Sequence, residues 1–135
     1  MKIQLNEVYK HEFSFSQNDI AKFAEVTGDK NPVHLDAEYA ASTMFKVPIM
    51  HGMLGASLFS KVFGTLFPGE GTIYLKQSLA FLKPMFVDTL YEAVFTVKEL
   101  NSEKHRATIE TIITDKTTGA VCTSGEATVM NTTKI

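Results

Sequence analysis

The stretch HGMLGASLFSKVFGTLF, residues 51–67, decides the fold. Between Gly52 and Phe67 its only charge is Lys61. The run is long enough for four turns of helix. A helix that is apolar on nearly every face has no side to offer to water, so other elements must surround it. Gly52, Gly55, Ala56 and Gly64 are small and let neighbours come close. They also lower intrinsic helix propensity, so packing has to hold this helix together. Pro68, Gly69 and Gly71 then stop it.

The cover comes from the chain beyond Gly71. Four segments there alternate apolar with polar residues, the period of a strand with one wet face: 72–82 (TIYLKQSLAFL), 90–100 (LYEAVFTVKEL), 104–114 (KHRATIETIIT) and 120–130 (AVCTSGEATVM). The pattern turns Ala93, Phe95 and Val97 inward, then Ala107, Ile109 and Ile113, then Val121, Ala127 and Val129. The links at 101–103 and 116–119 are hairpin-sized, so the last three strands form an antiparallel meander with one apolar face. Ahead of the buried helix, VYKHEFSF (8–15) reads as a strand. Ser16 caps a helix that carries Asp19, Ile20, Phe23, Ala24 and Val26, with Thr27 near its end and Gly28 just past it. Asp36 opens a shorter helix over 36–46. The class is α+β, and the arrangement is an antiparallel β-sheet wrapped around a long central helix, the hot-dog fold. With no repeat, linker or low-complexity tract, residues 1–135 read as one domain.

Composition narrows the function. The formal charge is −2 and no Lys/Arg stripe is present, which argues against a nucleic-acid partner. No segment has the length and apolarity of a membrane span, and the first residues lack the apolar run of a signal peptide. The single cysteine, Cys122, pairs with nothing in the chain, so the expectation is a cytoplasmic protein.

The chemistry-bearing residues cluster in TGDKNPVHLD, 27–36. Asp, Asn and Pro are ordinary turn formers, and a single His in a turn is often solvated. The other reading is catalytic. Asp29 and His34 across a tight turn can address one water, removing a proton from it and supplying one elsewhere. Asn31 holds the turn or orients a side chain, and Pro32 stiffens it. At the start of the buried helix, the first N–H groups have no internal partner and lie at the positive end of the helix dipole. The Gly52 N–H is thereby placed to receive a developing oxyanion. Ser60 and Ser57 read first as hydroxyls bonded back to their own helix. His51 reads as a helix-start residue, His11 and His105 as surface residues, and Cys122 as a small strand residue. The histidines lack metal-ligand spacing such as HExxH, and no nucleotide-binding glycine loop is present.

FAEVTGDKNPVHLD (23–36), VPIMHGMLGASLFS (47–60) and IYLKQSLAFLKPMFV (73–87) together resemble the MaoC-like (R)-specific enoyl-CoA hydratases, over about residues 10–130. The resemblance implies a hot-dog domain, a homodimer, and reversible syn addition of water to a trans-2-enoyl-CoA to give the (R)-3-hydroxyacyl-CoA. It makes Asp29 and His34 the catalytic pair, the Gly52 N–H the oxyanion donor and Asn31 a support, and it places Ser60 at a polar position close to the site. It calls for no metal and no redox cofactor; CoA is part of the acyl-CoA substrate. Two features depart from it. The turn 86–90 (FVDTL) lacks a glycine before Asp88, and no basic residue matches a CoA contact, which leaves Lys30, Lys46 and Lys83 to be placed. Fold does not fix function. An acyl-CoA thioesterase, with water directed at C1 rather than C3, and a non-catalytic acyl-CoA-binding module are the alternatives.

Overall fold

The computed structural model describes residues 1–135. In chain order the elements are β1 (Val8–Phe13), α1 (Gln17–Thr27), α2 (Pro32–Leu35), α3 (Ala37–Ala41), α4 (Gly52–Thr65), β2 (Ile73–Gln77), β3 (Ala80–Phe81), β4 (Tyr91–Asn101), β5 (Arg106–Asp115) and β6 (Val121–Met130). The sheet runs β1-β4-β5-β6-β2, with β3 also on β6, and the paired strands are antiparallel.

The apolar helix α4 lies with one side against the apolar face of this sheet, but it is not surrounded as its sequence predicts: Met53, Ser57, Ser60 and Lys61 form an exposed stripe on its other side. Leu58, Phe59, Val62 and Phe63 are buried, and so are Ala93, Phe95 and Val97 of β4 and Ala107, Ile109 and Ile113 of β5. Phe59 and Phe63 meet Phe95 edge-on at 5.7 and 5.3 Å, and Phe63 meets Tyr74 at 5.1 Å. Each fully buried ring contributes about 1.5–3 kcal/mol by area and each such pair about 0.5–1.5 kcal/mol more. Met85 fits the notch at Gly55, where an added Cβ would lie 2.0 Å from its methyl group. The ring of Phe81 fills the same role over Gly52, at 2.7 Å. Gly64 differs from expectation: nothing lies within 4 Å of an added Cβ there.

The expected strand 72–82 divides into β2 and β3. The cause is Gly125 on β6. A Cβ at that position would lie 1.8 Å from the Ser78 carbonyl and 2.9 Å from the Gln77 amide nitrogen. The crossing at Ser78 therefore needs a residue without a side chain. It is fastened by Ser78 N–H to the Glu126 carbonyl (2.9 Å) and by Glu126 N–H to Ser78 Oγ (2.9 Å). Over the same glycine, Gln77 Nε2 reaches Thr111 Oγ1 of β5 at 2.9 Å, and the Tyr74 hydroxyl donates to Gln77 Oε1. Burial pushes Tyr74 up to about 12.

Other differences are local. Val121 is exposed while Cys122 is buried, because a bulge between Ile113 and Thr114 shifts the β5–β6 register. Val26 is 86% exposed, since it lies off the α1 stripe formed by Ile20 and Ala24. The helix opened by Asp36 ends at Ala41 rather than 46. His105 lies in the β4–β5 turn with φ +54°, its Nδ1 2.8 Å from the Ile135 carbonyl, and not on a strand. In the turn that lacks a glycine, Asp88 itself takes the left-handed conformation, φ +53°.

Gly125→Ala will cost at least about 2 kcal/mol in denaturant unfolding, because it meets backbone that cannot yield. Gly64→Ala, in open space on a helix, will add about 0.5–1 kcal/mol. The raised Tyr74 pKa gives a contribution present below the unfolded value of 10.0 and lost as pH rises towards about 12. Tyr74→Phe will flatten that alkaline loss in thermal unfolding.

Candidate active site

The site begins at the end of α1. Gly28 takes the left-handed conformation (φ 80°) and its N–H closes on the Ala24 carbonyl, turning the chain so that Asp29 leaves the helix axis. Asn31 then caps a single helical turn. Its side chain accepts from Val33 N–H at 3.2 Å and Pro32 occupies the first helical position. TGDKNPVHLD is thus more than a turn, because it contains the whole of α2. Asp36 closes α2 and opens α3, accepting from the N–H groups of Glu38 (3.0 Å) and Tyr39 (3.1 Å), so this second carboxylate is a cap.

His34 sits on α2 and is held from two sides. Gln17 Nε2 of α1 donates to its carbonyl at 2.9 Å. On the other side Ile49 makes a clamp: its N–H donates to the Val33 carbonyl (3.2 Å) and its carbonyl lies 2.7 Å from His34 Nδ1. A carbonyl can only accept, which assigns the proton to Nδ1 and leaves Nε2 of the neutral ring as an acceptor. The clamp joins the body of the fold through the Met50 N–H bond to the Met85 carbonyl (2.8 Å) and the Ile49–Phe86 bridge.

A carboxylate oxygen of Asp29 and a ring nitrogen from each of His34 and His51 all lie within 4.8 Å of one another. Two hydrogen bonds of about 2.8 Å each reach across such a gap through one water. Ligation of a metal by the two imidazoles is a different matter. Their rings stack at 3.8 Å with 28° between planes, which sets in-plane lone pairs side by side rather than converging on one ion.

The first turn of α4 completes the group. The N–H groups of Leu54 and Gly55 both donate to the His51 carbonyl, at 3.0 and 3.3 Å, while those of Gly52 and Met53 find no partner in the chain. Asp29, His34, His51 and Gly52 line one cleft of about 390 Å³, whose apolar walls include Phe45, Met50, Met53, Phe81 and Met85. Lys83 lines it too; Lys30 and Lys46 do not.

The structure therefore brings together Asp29, His34 and Gly52, with Asn31 supporting the turn from outside. Ser60 stands apart. It is exposed, its hydroxyl makes no hydrogen bond within the chain, and it lines a second cleft of about 410 Å³ beside Ser57 and Tyr74 that shares Met53 with the first. Ser57 does bond back to its helix, to the Leu54 carbonyl at 2.5 Å, but three residues away rather than four. His11 lies elsewhere, its pKa lowered by burial and by neighbouring Lys61, and burial raises that of Cys122. Sequence reading placed His51 correctly at the start of α4 but gave it no part in the site. It is 2% exposed and occupies the N-cap of α4 without capping it. The available signal was a polar residue directly ahead of a mostly apolar helix.

Comparison with known proteins identifies the family and the fold. The family model of the MaoC like domain matches residues 2–121. An (R)-specific enoyl-CoA hydratase of Aeromonas caviae is 46% identical over 115 residues, 85% of each chain. One of Rhodospirillum rubrum is 44% identical over 117 residues, 87% of this chain and 80% of that one. Among solved structures, the (R)-hydratase from A. caviae involved in PHA biosynthesis superposes with a TM-score of 0.91 at 41% identity, covering 96% of this chain and 97% of that one. The R-hydratase PhaJ1 from Pseudomonas aeruginosa gives 0.90 at 38% identity, over 96% and 82%. The wrapped helix is the hot-dog fold of these hydratases, and the chain belongs to the MaoC-like family.

Proposed function

We propose that the protein is an (R)-specific enoyl-CoA hydratase, adding water reversibly to a trans-2-enoyl-CoA. The observation that carries the reading is the cleft in which Asp29, His34 and an unpartnered helix N-terminus at Gly52 face one space. Water adds poorly to an isolated alkene. Conjugation to a thioester makes C3 electrophilic, because charge can move to the thioester oxygen. As the water oxygen bonds C3, the C2=C3 π electrons shift towards C2 and the thioester carbonyl oxygen, where the Gly52 N–H and the dipole of α4 meet the charge. One water proton passes to the Asp29–His34 pair and one proton returns to C2, so the pair ends as it began. Both groups lie on one side of the cleft, which favours syn addition and one hand of product. Asn31 keeps the turn in register and Ser60 takes no part in the proton transfers. The reaction calls for no metal and no redox cofactor, and CoA enters with the substrate.

Two features extend the reading. The outer edge of the sheet carries Ile73, Leu75, Phe81 and Leu82 exposed. An unprotected apolar edge of this kind is a template for pairing, and we assign it to a homodimer. No helix is long and apolar enough to cross a membrane. The one cysteine is buried and needs no oxidising compartment, which fits a cytoplasmic enzyme.

With crotonyl-CoA, the enoyl absorbance will fall without release of free thiol. Thiol release would instead identify a thioesterase, and an unchanged spectrum a binding module. Asp29→Asn and His34→Ala will each lower kcat by about 100-fold or more while far-UV circular dichroism stays unchanged. Near-normal rates in either variant would remove that residue from the mechanism. Lys83 is the lysine that lines the cleft, and we assign its ammonium to the phosphates that CoA brings. Lys83→Ala will raise KM about 3- to 10-fold at low salt with kcat unchanged, and the difference will shrink as salt is added. A KM independent of both changes would exclude the contact.

A further inference from the structure

We infer that His51 is a positioning residue of this site, setting the distance between the Asp29–His34 pair and the Gly52 N–H. The inference rests on the hydratase reading and adds a part that the reading does not require. Asp29 is exposed and lies in a turn. Its own hydrogen bonds are local: its N–H donates to Thr27 Oγ1 at 3.2 Å and its carboxylate accepts from Asn31 N–H at 3.4 Å. The bonds of its neighbours are local too, from Gly28 N–H to Ala24 and from Lys30 N–H to Gly28. One bond ties this turn to the rest of the cleft. His51 Nε2 lies 3.0 Å from the Asp29 carbonyl.

His51 immediately precedes Gly52, so the residue that holds the Asp29 backbone also begins the helix that presents the oxyanion donor. Its ring is fixed by His34 on one side, at 3.8 Å, and by Phe23, at 4.8 Å. His51 thus touches Asp29, His34 and Gly52, and a shift of its ring moves the pair relative to the N–H. Burial makes imidazole a costly choice at this position. Nδ1 is shut away from solvent with no hydrogen-bond partner. A phenyl ring, only one ring atom larger, would offer the same faces for stacking without an orphaned polar atom, so packing alone does not call for imidazole here. The Nε2 bond to Asp29 is what imidazole supplies and phenyl cannot.

The test compares His51→Phe and His51→Gln with the unchanged protein in crotonyl-CoA hydration, alongside thermal unfolding. Misplacement of a reacting group by about 1 Å costs up to about 100-fold in rate. His51→Phe will lower kcat about 10- to 100-fold with KM within about twofold, while Tm stays equal or rises. His51→Gln, whose amide can still donate to the Asp29 carbonyl, will recover most of that loss. Wild-type kcat in a folded His51→Phe would overturn the inference. Should His51→Phe not fold, a His51→Gln variant that folds yet loses kcat 10-fold or more would overturn it as well. Absence of hydration in the unchanged protein would instead defeat the hydratase reading, so the two failures are distinguishable.

Discussion

Everything in this structure depends on one constraint: α4 must cover a long apolar side, yet its first turn cannot be sealed. That side is stable only when buried, and the sheet buries it through Phe95 and its neighbours, leaving Ser57, Ser60 and Lys61 on the exposed side. A helix N-terminus nevertheless carries N–H groups that the helix cannot satisfy. Leu54 and Gly55 turn theirs back to the His51 carbonyl, but Gly52 and Met53 are left with none. The cleft is the place where burial of α4 stops. Its donors and its apolar walls have one origin, the termination of a buried helix at a surface, and an acyl thioester needs both.

The opposing groups reach that point by a chain of short-range devices rather than by one strong interaction. Gly28 turns the chain out of α1, Asn31 restarts it as α2, and Ile49 locks α2 against the segment that leads into α4. Each bond is worth about 1 kcal/mol. Together they fix the tautomer of His34 and bring an Asp29 carboxylate oxygen within 4.8 Å of the imidazole nitrogens. The lock at Ile49 lies on neither α2 nor α4 and joins the two, with Ile49 15 residues along the chain from His34.

Much of this was legible in the sequence. The apolar helix, the alternating strands and the hairpin links come from periodicity, and α1 from Ser16 and Gly28, because these signals are local and repeat. The break between β2 and β3 does not, since its cause, Gly125, lies far along the chain and acts only once β6 is paired. Nor does the exposure of Val121, because a bulge reverses the facing of a strand without changing its composition. In the site, residue type and spacing left an ordinary turn and a catalytic pair both open, and the family resemblance singled out Asp29, His34 and Gly52, which the structure brings to one cleft. Ser60 was not: a helix period gives its face but not which of two adjoining clefts that face lines. His51 was hidden for a related reason, since its partner is a backbone carbonyl that no residue pattern reveals.

The central claim is that this cleft delivers water to C3 of a conjugated thioester. Turnover of crotonyl-CoA in water labelled with oxygen-18 tests it most directly, with the product analysed by mass spectrometry and chiral chromatography. The account predicts label in the C3 hydroxyl of an intact thioester, in the (R) product alone. Label in the carboxylate of a free acid, or a C3 hydroxyl of (S) or mixed configuration, would contradict it.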